Sequence, residues 1–570
     1  MARVPAPAHR PFGRGPRAEV NSSAVRPVGF SLLIIFVLSS VSLPGQAPDL
    51  RTRAERTAFD ETSRYDDVLQ VLHGLQASEP RLVHLTTFGR SDEGRELPLA
   101  VIGSPAPRDA ASARASTKVR VLVLGNIHAG EVEGKEAALI LARRLGGGDL
   151  RRLLDRVTVL VAPIYNADGN ERISVDNRPS QFGPFGGVGI RETARGLDLN
   201  RDFVKLEAAE SRHLVALLAA WDPHVVLDLH TTNGSYHGYH LTYAPSLTVN
   251  TDPRLSRATR SLLASARNVM ADRGWRSYSY GNFVAEGALD RELTRPEAGA
   301  PAWRTFDARP RFVTNGIGLR NRIAILSEAY SYLPFERRVR VTEVFVETLL
   351  AHVARRATSI VALTSEVDRA TARDGQTGAL GLLGTRGRLT PGDGAVRILV
   401  GDVETRPHPK TGKPMTVMKE NIARPVLMQD YGQFAPIDLQ RAPKAYLIPA
   451  DRGRQPLVDR VASLLERHGI GFDRLSSPAR LDVEVATPAG VTRTERVYQG
   501  HREVRLTDVR RSMQAVDFPA GSLRVPMGQP LARLVFHLLE PTSDDGVVTW
   551  NLVDDWLAVG EPVPIYRALP

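Results

Sequence analysis

The chain predicts an α/β fold: a mixed, mostly parallel twisted sheet flanked by helices, with a smaller α/β or β-rich portion at the C-terminal end. Three observations predict it. Short runs rich in Val, Leu and Ile, at 119–124, 157–163, 225–230 and 323–327, read as buried strands. Helix-length amphipathic segments at 135–144, 207–220, 255–273 and 336–357 alternate with them. Polar, turn-forming residues stand at the C-terminal ends of the runs, the edge where an open α/β sheet gathers its ligands.

Taken in order, residues 1–47 stand apart. Arg3, Arg10, Arg14, Arg17 and Arg26, against the single Glu19, precede a mostly Leu/Ile/Val/Phe run at 30–41 and then Gly45-Gln46-Ala47. This reads as a secretory signal peptide with small residues at the cleavage positions, which implies a secreted or periplasmic protein. The apolar run is shorter than the ~20 residues of a membrane span, so membrane contact is expected only through an uncleaved N-terminal anchor. A helix over 55–75 follows, then two strands at 82–88 and 97–102 joined by a polar turn. The 119–124 strand leads into the 135–144 helix, which Gly146-Gly147-Gly148 stops. The strand at 157–163 ends in Asn166-Ala167-Asp168-Gly169-Asn170. No periodicity marks 171–197, whose Gly183, Pro184, Gly186, Gly187 and Gly189 spell a long loop of the kind that is often functional. The helix at 207–220, the strand ending at His230, the helix at 255–273, an irregular stretch to Gly318, the strand at 323–327 and the helix at 336–357 complete this part.

At 570 residues the chain exceeds what one hydrophobic core usually supports. The expected organisation is a signal peptide at 1–47, a catalytic domain at 48–365, a Gly-rich linker at 366–395 and a C-terminal accessory domain of unassigned role at 396–570. In that last part 444–449 is strand-like, Leu457, Val461, Leu464 and Leu465 share one face of a helix ended by Gly469, short alternating segments run through 480–525, and a helix begins near Leu531.

Composition narrows the function. The net charge of +11 is no sign of nucleic-acid binding, because only seven of the 74 basic residues are Lys, the Arg are spread along the whole chain, and no basic run interleaves with aromatics. Cysteine is absent, so export brings no disulfides and a metal must be held by His and carboxylate alone.

The stretch Gly125-Asn126-Ile127-His128-Ala129-Gly130-Glu131 organises the chemistry. His128 and Glu131 leave one turn at the end of a strand at a spacing that lets an imidazole and a carboxylate meet one cation. A hydrolytic zinc site needs three protein ligands and an open position. His230, also at a strand end, supplies the third. The same His-x-x-Glu spacing at His537 and Glu540 lies in the apolar run 531–539 and reads as an ordinary buried helix. His224, at the far end of the strand that carries His230, lies about 20 Å from it and is no ligand.

Four stretches in order, His128-Ala129-Gly130-Glu131, Asp198-Leu199-Asn200-Arg201, His230, and Glu328 in Ile325-Leu326-Ser327-Glu328-Ala329-Tyr330, together resemble the signature of the zinc carboxypeptidases, the carboxypeptidase A-like metallopeptidases, over roughly residues 57–360. The resemblance implies one Zn²⁺ on His128, Glu131 and His230, with Glu328 as general base. It implies Asn200 and Arg201 as the pair that binds the substrate's terminal carboxylate, and Asp198 as the acid that fixes the tautomer of His128. Arg191 takes the place of the Arg that stabilises the oxyanion, with Arg178 and Arg195 as competitors. The substrate is then a peptide with a free C-terminal carboxylate. One feature departs: the family's mobile active-site Tyr falls where this chain has Phe306, and Asn315-Gly316-Ile317-Gly318 supplies none. Tyr330 and Tyr332 are read as packing residues, and His237 and His240 as solvated neighbours of the site. Two alternatives stay open, a zinc amide hydrolase or deacylase acting on a non-protein substrate and a catalytically inactive binding protein.

Overall fold

The apolar runs pair as strands of one sheet. In chain order the strands up to residue 330 are β1 (Val83–Arg90), β2 (Glu96–Ile102), β3 (Val119–Gly125), β4 (Val157–Ala162), β5 (Val225–Thr232), β6 (Leu241–Pro245), β7 (Ser277–Ser279), β8 (Asn282–Ala285), β9 (Ala288–Leu293), β10 (Pro301–Arg304) and β11 (Ile323–Tyr330). Eight of them form a mixed sheet in the order β1-β2-β4-β3-β5-β11-β6-β7. The central four, β4, β3, β5 and β11, run parallel, as strands joined through helical crossovers must. The computed structural model describes residues 48–285, 287–297, 301–451 and 453–570; the signal segment expected at 1–47 lies outside the described residues.

Both faces of the sheet are covered. Odd-numbered residues such as Val121, Val123, Leu227 and Ile325 pack against helices Tyr65–Ser78, Glu133–Gly147, Pro253–Asp272 and Phe335–Arg355. Even-numbered residues such as Leu122, Leu124, Val226 and Ala324 pack against Ala209–Trp221 and Val313–Leu319. Each fully buried aliphatic side chain stabilises the fold by about 1.5–3 kcal/mol. Because side chains alternate along a strand, the even face of β5 and β11 continues past Val226 and Ala324 into Asp228, His230, Leu326 and Glu328. That face delivers polar groups to the sheet's C-terminal edge.

Three expectations are corrected. The single helix at 55–75 is two, Arg53–Arg56 and Tyr65–Ser78, separated by Ala58 (φ 48°) and Phe59 (φ 63°); the Phe59 ring packs edge-on against Phe335 at 5.9 Å, which holds the break. The stretch before Gly318 is not irregular, since it contains β7 to β10 and helix Val313–Leu319. Residues 366–395 are not a linker: they hold the end of helix Ala357–Thr377, with Val367, Ala370 and Thr371 buried, and then β12 (Leu382–Thr390). Glycine there marks a helix end, Gly378 at φ 82°, rather than a flexible tether.

The remaining strands are β13 (Ala395–Pro407), β14 (Pro414–Tyr431), β15 (Gln433–Arg441), β16 (Ala445–Ile448), β17 (Asp473–Arg474), β18 (Ala479–Arg493), β19 (Val504–Phe518), β20 (Leu523–Pro526) and β21 (Tyr566–Ala568). A second sheet runs β13-β14-β10-β8-β9, with β10 parallel to β14, so segments from both sides of the expected boundary share one hydrogen-bonded ladder. Consistent with this, Pro48–Pro570 form one compact unit. The β-rich C-terminal portion centres on the sheet β17-β20-β16-β21-β18-β19, on which helices Gln455–His468 and Ala532–Leu539 pack. No helix among the described residues is long and apolar enough to cross a membrane.

One hairpin of this portion reaches the first sheet's edge. Tyr498 and His501 exchange backbone hydrogen bonds of 2.7 and 3.0 Å across Gln499 (φ 49°) and Gly500 (φ 79°), a mirror-image turn that fits the strands' twist. At its tip the Gln499 Oε1 accepts a hydrogen bond from the Asp198 N–H at 2.9 Å, and His501 Nε2 lies 2.7 Å from Glu207. Close by, Arg311 bridges Glu503 and Asp545.

Candidate metal centre

The chain leaves β3 through Asn126 at φ 65°, and the Glu131 N–H closes a tight turn on the His128 carbonyl at 2.9 Å. Both side chains therefore leave in the same direction. His128 Nδ1 lies 3.0 Å from one Glu131 oxygen and His230 Nδ1 lies 2.9 Å from the other. Ligand atoms of His128, Glu131 and His230 all fall within 4.8 Å of one another, and all three residues are buried. This is the one such cluster among the described residues. Its donors, two imidazole nitrogens and a carboxylate, are the set that zinc takes in hydrolytic sites.

The surroundings match a dication. Glu131, Asp198 and Asp228 touch the imidazoles, Arg178 and Arg191 touch those carboxylates, and Glu328 stands across the cavity. Three carboxylates set directly against two buried imidazoles, in a poorly solvated place, form an arrangement that favours a divalent cation. Burial alone would raise the Glu131 carboxyl, but the neighbouring His128 and Arg178 hold it well below the usual range.

Each residue singled out in the sequence has a definite place. Asp198 opens a turn over Leu199–Arg201; its Oδ1 accepts from the Asn200 N–H at 2.9 Å and stands 3.1 Å from His128 Nε2. Its Oδ2 accepts from Arg191 Nε at 2.8 Å. Burial works against the Asp198 charge, yet His128 and Arg191 keep this carboxyl far below its ordinary value. Glu328 lies directly across the β5–β11 ladder from His230. Burial pushes it up to about 8, His230 opposing and Glu131 and Asp228 adding to the rise, and it has no hydrogen-bond partner among the described residues.

His128, Glu131, His230 and Glu328 line a cavity of about 350 Å³ with Arg178, Arg191, Asn200 and Arg201 on its walls. Asn200 Oδ1 accepts from the Val313 N–H at 2.9 Å, and the Arg201 guanidinium stacks 4.0 Å over the Phe312 ring. Of the three Arg weighed for the oxyanion, Arg195 bonds the Glu207 carbonyl and is not on the cavity wall. Arg191 and Arg178 both are. Arg178 crosses above Gly130, where an added Cβ would sit 2.5 Å from its Nε, so only glycine at 130 lets this side chain reach Glu131.

Several groups were not legible in advance. Tyr280, on the connection between β7 and β8, lines the cavity with Phe306, their rings 5.7 Å apart; burial and the Glu328 charge push its hydroxyl well above the ordinary tyrosine value. Its distance in sequence from β11 hid it. Tyr330 donates to the Ser235 carbonyl and Tyr332 packs on Tyr236, neither on the wall. His237 is buried against Tyr330 at 4.0 Å and His240 accepts from the Arg276 N–H, so neither is solvated as expected. His224 accepts from the Arg120 N–H, and His537 and Glu540 bond elsewhere, to Asn250 and Arg511.

Residues 68–294 match the family model described as zinc carboxypeptidase. Carboxypeptidase 2 of Trichophyton equinum is 24% identical over 507 residues, 85% of this chain and 82% of its own, so the likeness continues well beyond the first sheet. Carboxypeptidase D of Mus musculus is 36% identical over a shorter 142 residues, 22% of this chain and 10% of its own. A solved metallo-carboxypeptidase from Burkholderia cenocepacia aligns with 51% of this chain and 70% of its own at 18% identity, with a TM-score of 0.37. The chain carries a zinc carboxypeptidase domain and is a metallocarboxypeptidase, a hydrolase that uses one zinc ion.

Proposed function

We propose that the protein removes the C-terminal residue of peptides, with His128, Glu131 and His230 as the zinc ligands and Glu328 as the general base. The observation that supports this most is the register that sets Glu328 opposite His230 while Asn200 and Arg201 line the same cavity. When bound there, zinc supplies a more acidic water, with a pKa near about 7, and a Lewis acid for the scissile carbonyl.

The protein's own groups do the rest. The Arg201 guanidinium and the Asn200 carboxamide take the substrate's terminal carboxylate, Arg by two parallel charge-assisted bonds that a point charge does not reproduce. That places the last peptide bond beside Glu328. Glu328 faces the cavity without a hydrogen-bond partner; as a carboxylate, the form that a neighbouring dication favours against the effect of burial, it accepts the proton of the attacking water and delivers it to the departing nitrogen. Arg191 stabilises the negative charge that develops on the carbonyl oxygen, a contribution of about 3–4 kcal/mol in comparable sites. Asp198 keeps the Nε2 proton on His128 so that Nδ1 faces inward. Residues 1–47 act as a signal peptide, and the mature enzyme works outside the cytoplasm.

The experiment is a set of peptides differing only in whether the C-terminus is free or amidated, assayed with and without a chelator. Release of the last residue from the free peptides alone, abolished by the chelator and restored by Zn²⁺, is expected. Equal cleavage of amidated peptides, or chelator-insensitive release, refutes the assignment.

A further inference from the structure

Asp228 is the least explained charged group in the molecule. It lies on β5, 1% exposed, between Leu124 of β3 and Leu326 of β11. Neither carboxylate oxygen has a hydrogen-bond partner among the described residues. A carboxylate buried in an apolar layer without a partner is a costly arrangement, and one that a sequence keeps only where the group has work to do.

Its close neighbour of opposite character is the His230 ring: Oδ2 stands 3.1 Å from Nε2, and that nitrogen too has no other partner among the described residues. The other ring nitrogen of His230, Nδ1, faces Glu131 at 2.9 Å. His128 is arranged in the same way, with Nδ1 at 3.0 Å from Glu131 and Nε2 at 3.1 Å from Asp198. The two imidazoles thus stand in matching settings, each with Nδ1 toward the shared carboxylate and Nε2 against an aspartate. Asp198 also binds Arg191 and the Asn200 N–H, so its presence has independent causes. Asp228 has none.

We infer that Asp228 is a positioning residue for His230: it holds the proton on Nε2, which leaves the Nδ1 lone pair free for the metal and fixes the ring's direction. This rests on the reading of His230 as a zinc ligand. A group that anchors a ligand imidazole changes how tightly the metal is kept, and its loss lowers affinity by about tenfold to hundredfold in comparable sites. In the metal-free protein the same carboxylate is the group that faces the buried His230 Nε2, so its removal leaves that nitrogen alone. Zinc affinity, rather than stability alone, therefore separates this role from ordinary packing.

The test uses the full chain carrying Asp228→Asn, Asp228→Leu and, as control, His230→Ala. Zinc affinity is read by chelator competition, and melting temperature with and without Zn²⁺ by calorimetry. We expect both Asp228 variants to bind zinc about tenfold to hundredfold more weakly, and to show a smaller rise in melting temperature on adding Zn²⁺ than wild type. If the Leu variant fails to fold, the isosteric Asn variant gives the affinity alone. Zinc affinity within twofold of wild type in Asp228→Asn, while His230→Ala abolishes tight binding, overturns the inference and leaves the site reading intact. Tight zinc binding by His230→Ala overturns both.

Discussion

Replacing Glu328 by Gln separates chemistry from architecture at this site. The two side chains have the same shape, and the carboxylate has no hydrogen bond or ion pair among the described residues for the amide to lose. Stability of the metal-free protein should therefore rise rather than fall, because burial disfavours the charged form that Gln cannot take. Glu328 is not in the ligand cluster, so bound zinc should stay at one equivalent. Turnover should behave differently. A positioned general base contributes about 10²–10⁴ in rate, equivalent to about 2.7–5.4 kcal/mol of barrier at about 1.36 kcal/mol per factor of ten. The assay is release of the C-terminal amino acid from a peptide of free terminus, run beside metal analysis of the same samples. A variant that retains zinc and keeps more than about a tenth of wild-type kcat would show that another group moves the proton, and Glu328 would lose its role.

Other outcomes follow from the same geometry. Arg201→Lys keeps the charge but loses the fork, so kcat/KM on free-terminus peptides should fall about tenfold to hundredfold, the worth of charge-assisted bonds of about 1.5–3 kcal/mol; an unchanged value removes Arg201 from carboxylate binding. Arg191→Ala should lower kcat by about 10²–10³ with a smaller change in KM, and a larger loss in Arg178→Ala transfers the oxyanion role to Arg178. Glu210, fully buried and pushed up to about 7 by burial, gives a pH signature. Its folded-state value lies above the ordinary 4.5, so the neutral form is favoured and stability is lost as pH rises from about 4.5 through about 7. The drop amounts to about 3 kcal/mol, and Glu210→Gln should flatten it in urea midpoints measured across that range.

The parts of this enzyme that could be read from the sequence are those written locally. The β-branched runs ending at Gly125, His230 and Glu328 declare buried parallel strands, because a strand covered on both faces has no polar alternation to hide it. His128 and Glu131 are legible since one turn holds both, and His230 since it ends such a run. Arg178 is harder: its reach over Gly130 depends on a loop conformation with φ 52° at Arg178 that no periodicity announces. Tyr280 and Phe306 meet only because β8 and β10 fold as neighbours. The second sheet was invisible for a related reason, since β10 has four residues and its parallel partner β14 lies more than a hundred positions away. Asp228 is illegible for another reason, because sequence reports spacing and not the absence of hydrogen-bond partners.

The tip that Gln499 presents to the backbone of Asp198, together with the ladder β10 shares with β14, bears on how the protein can be dissected. A shortened gene ending between residues 366 and 395 would leave β10 paired on one side only, with β8, and strip a brace from the loop bearing Asn200 and Arg201. Such a fragment is not a minimal peptidase. For the same reason, lineages that inherit this arrangement are constrained to keep or discard its two halves together, and engineers who graft the cavity elsewhere must carry the distant hairpin with it.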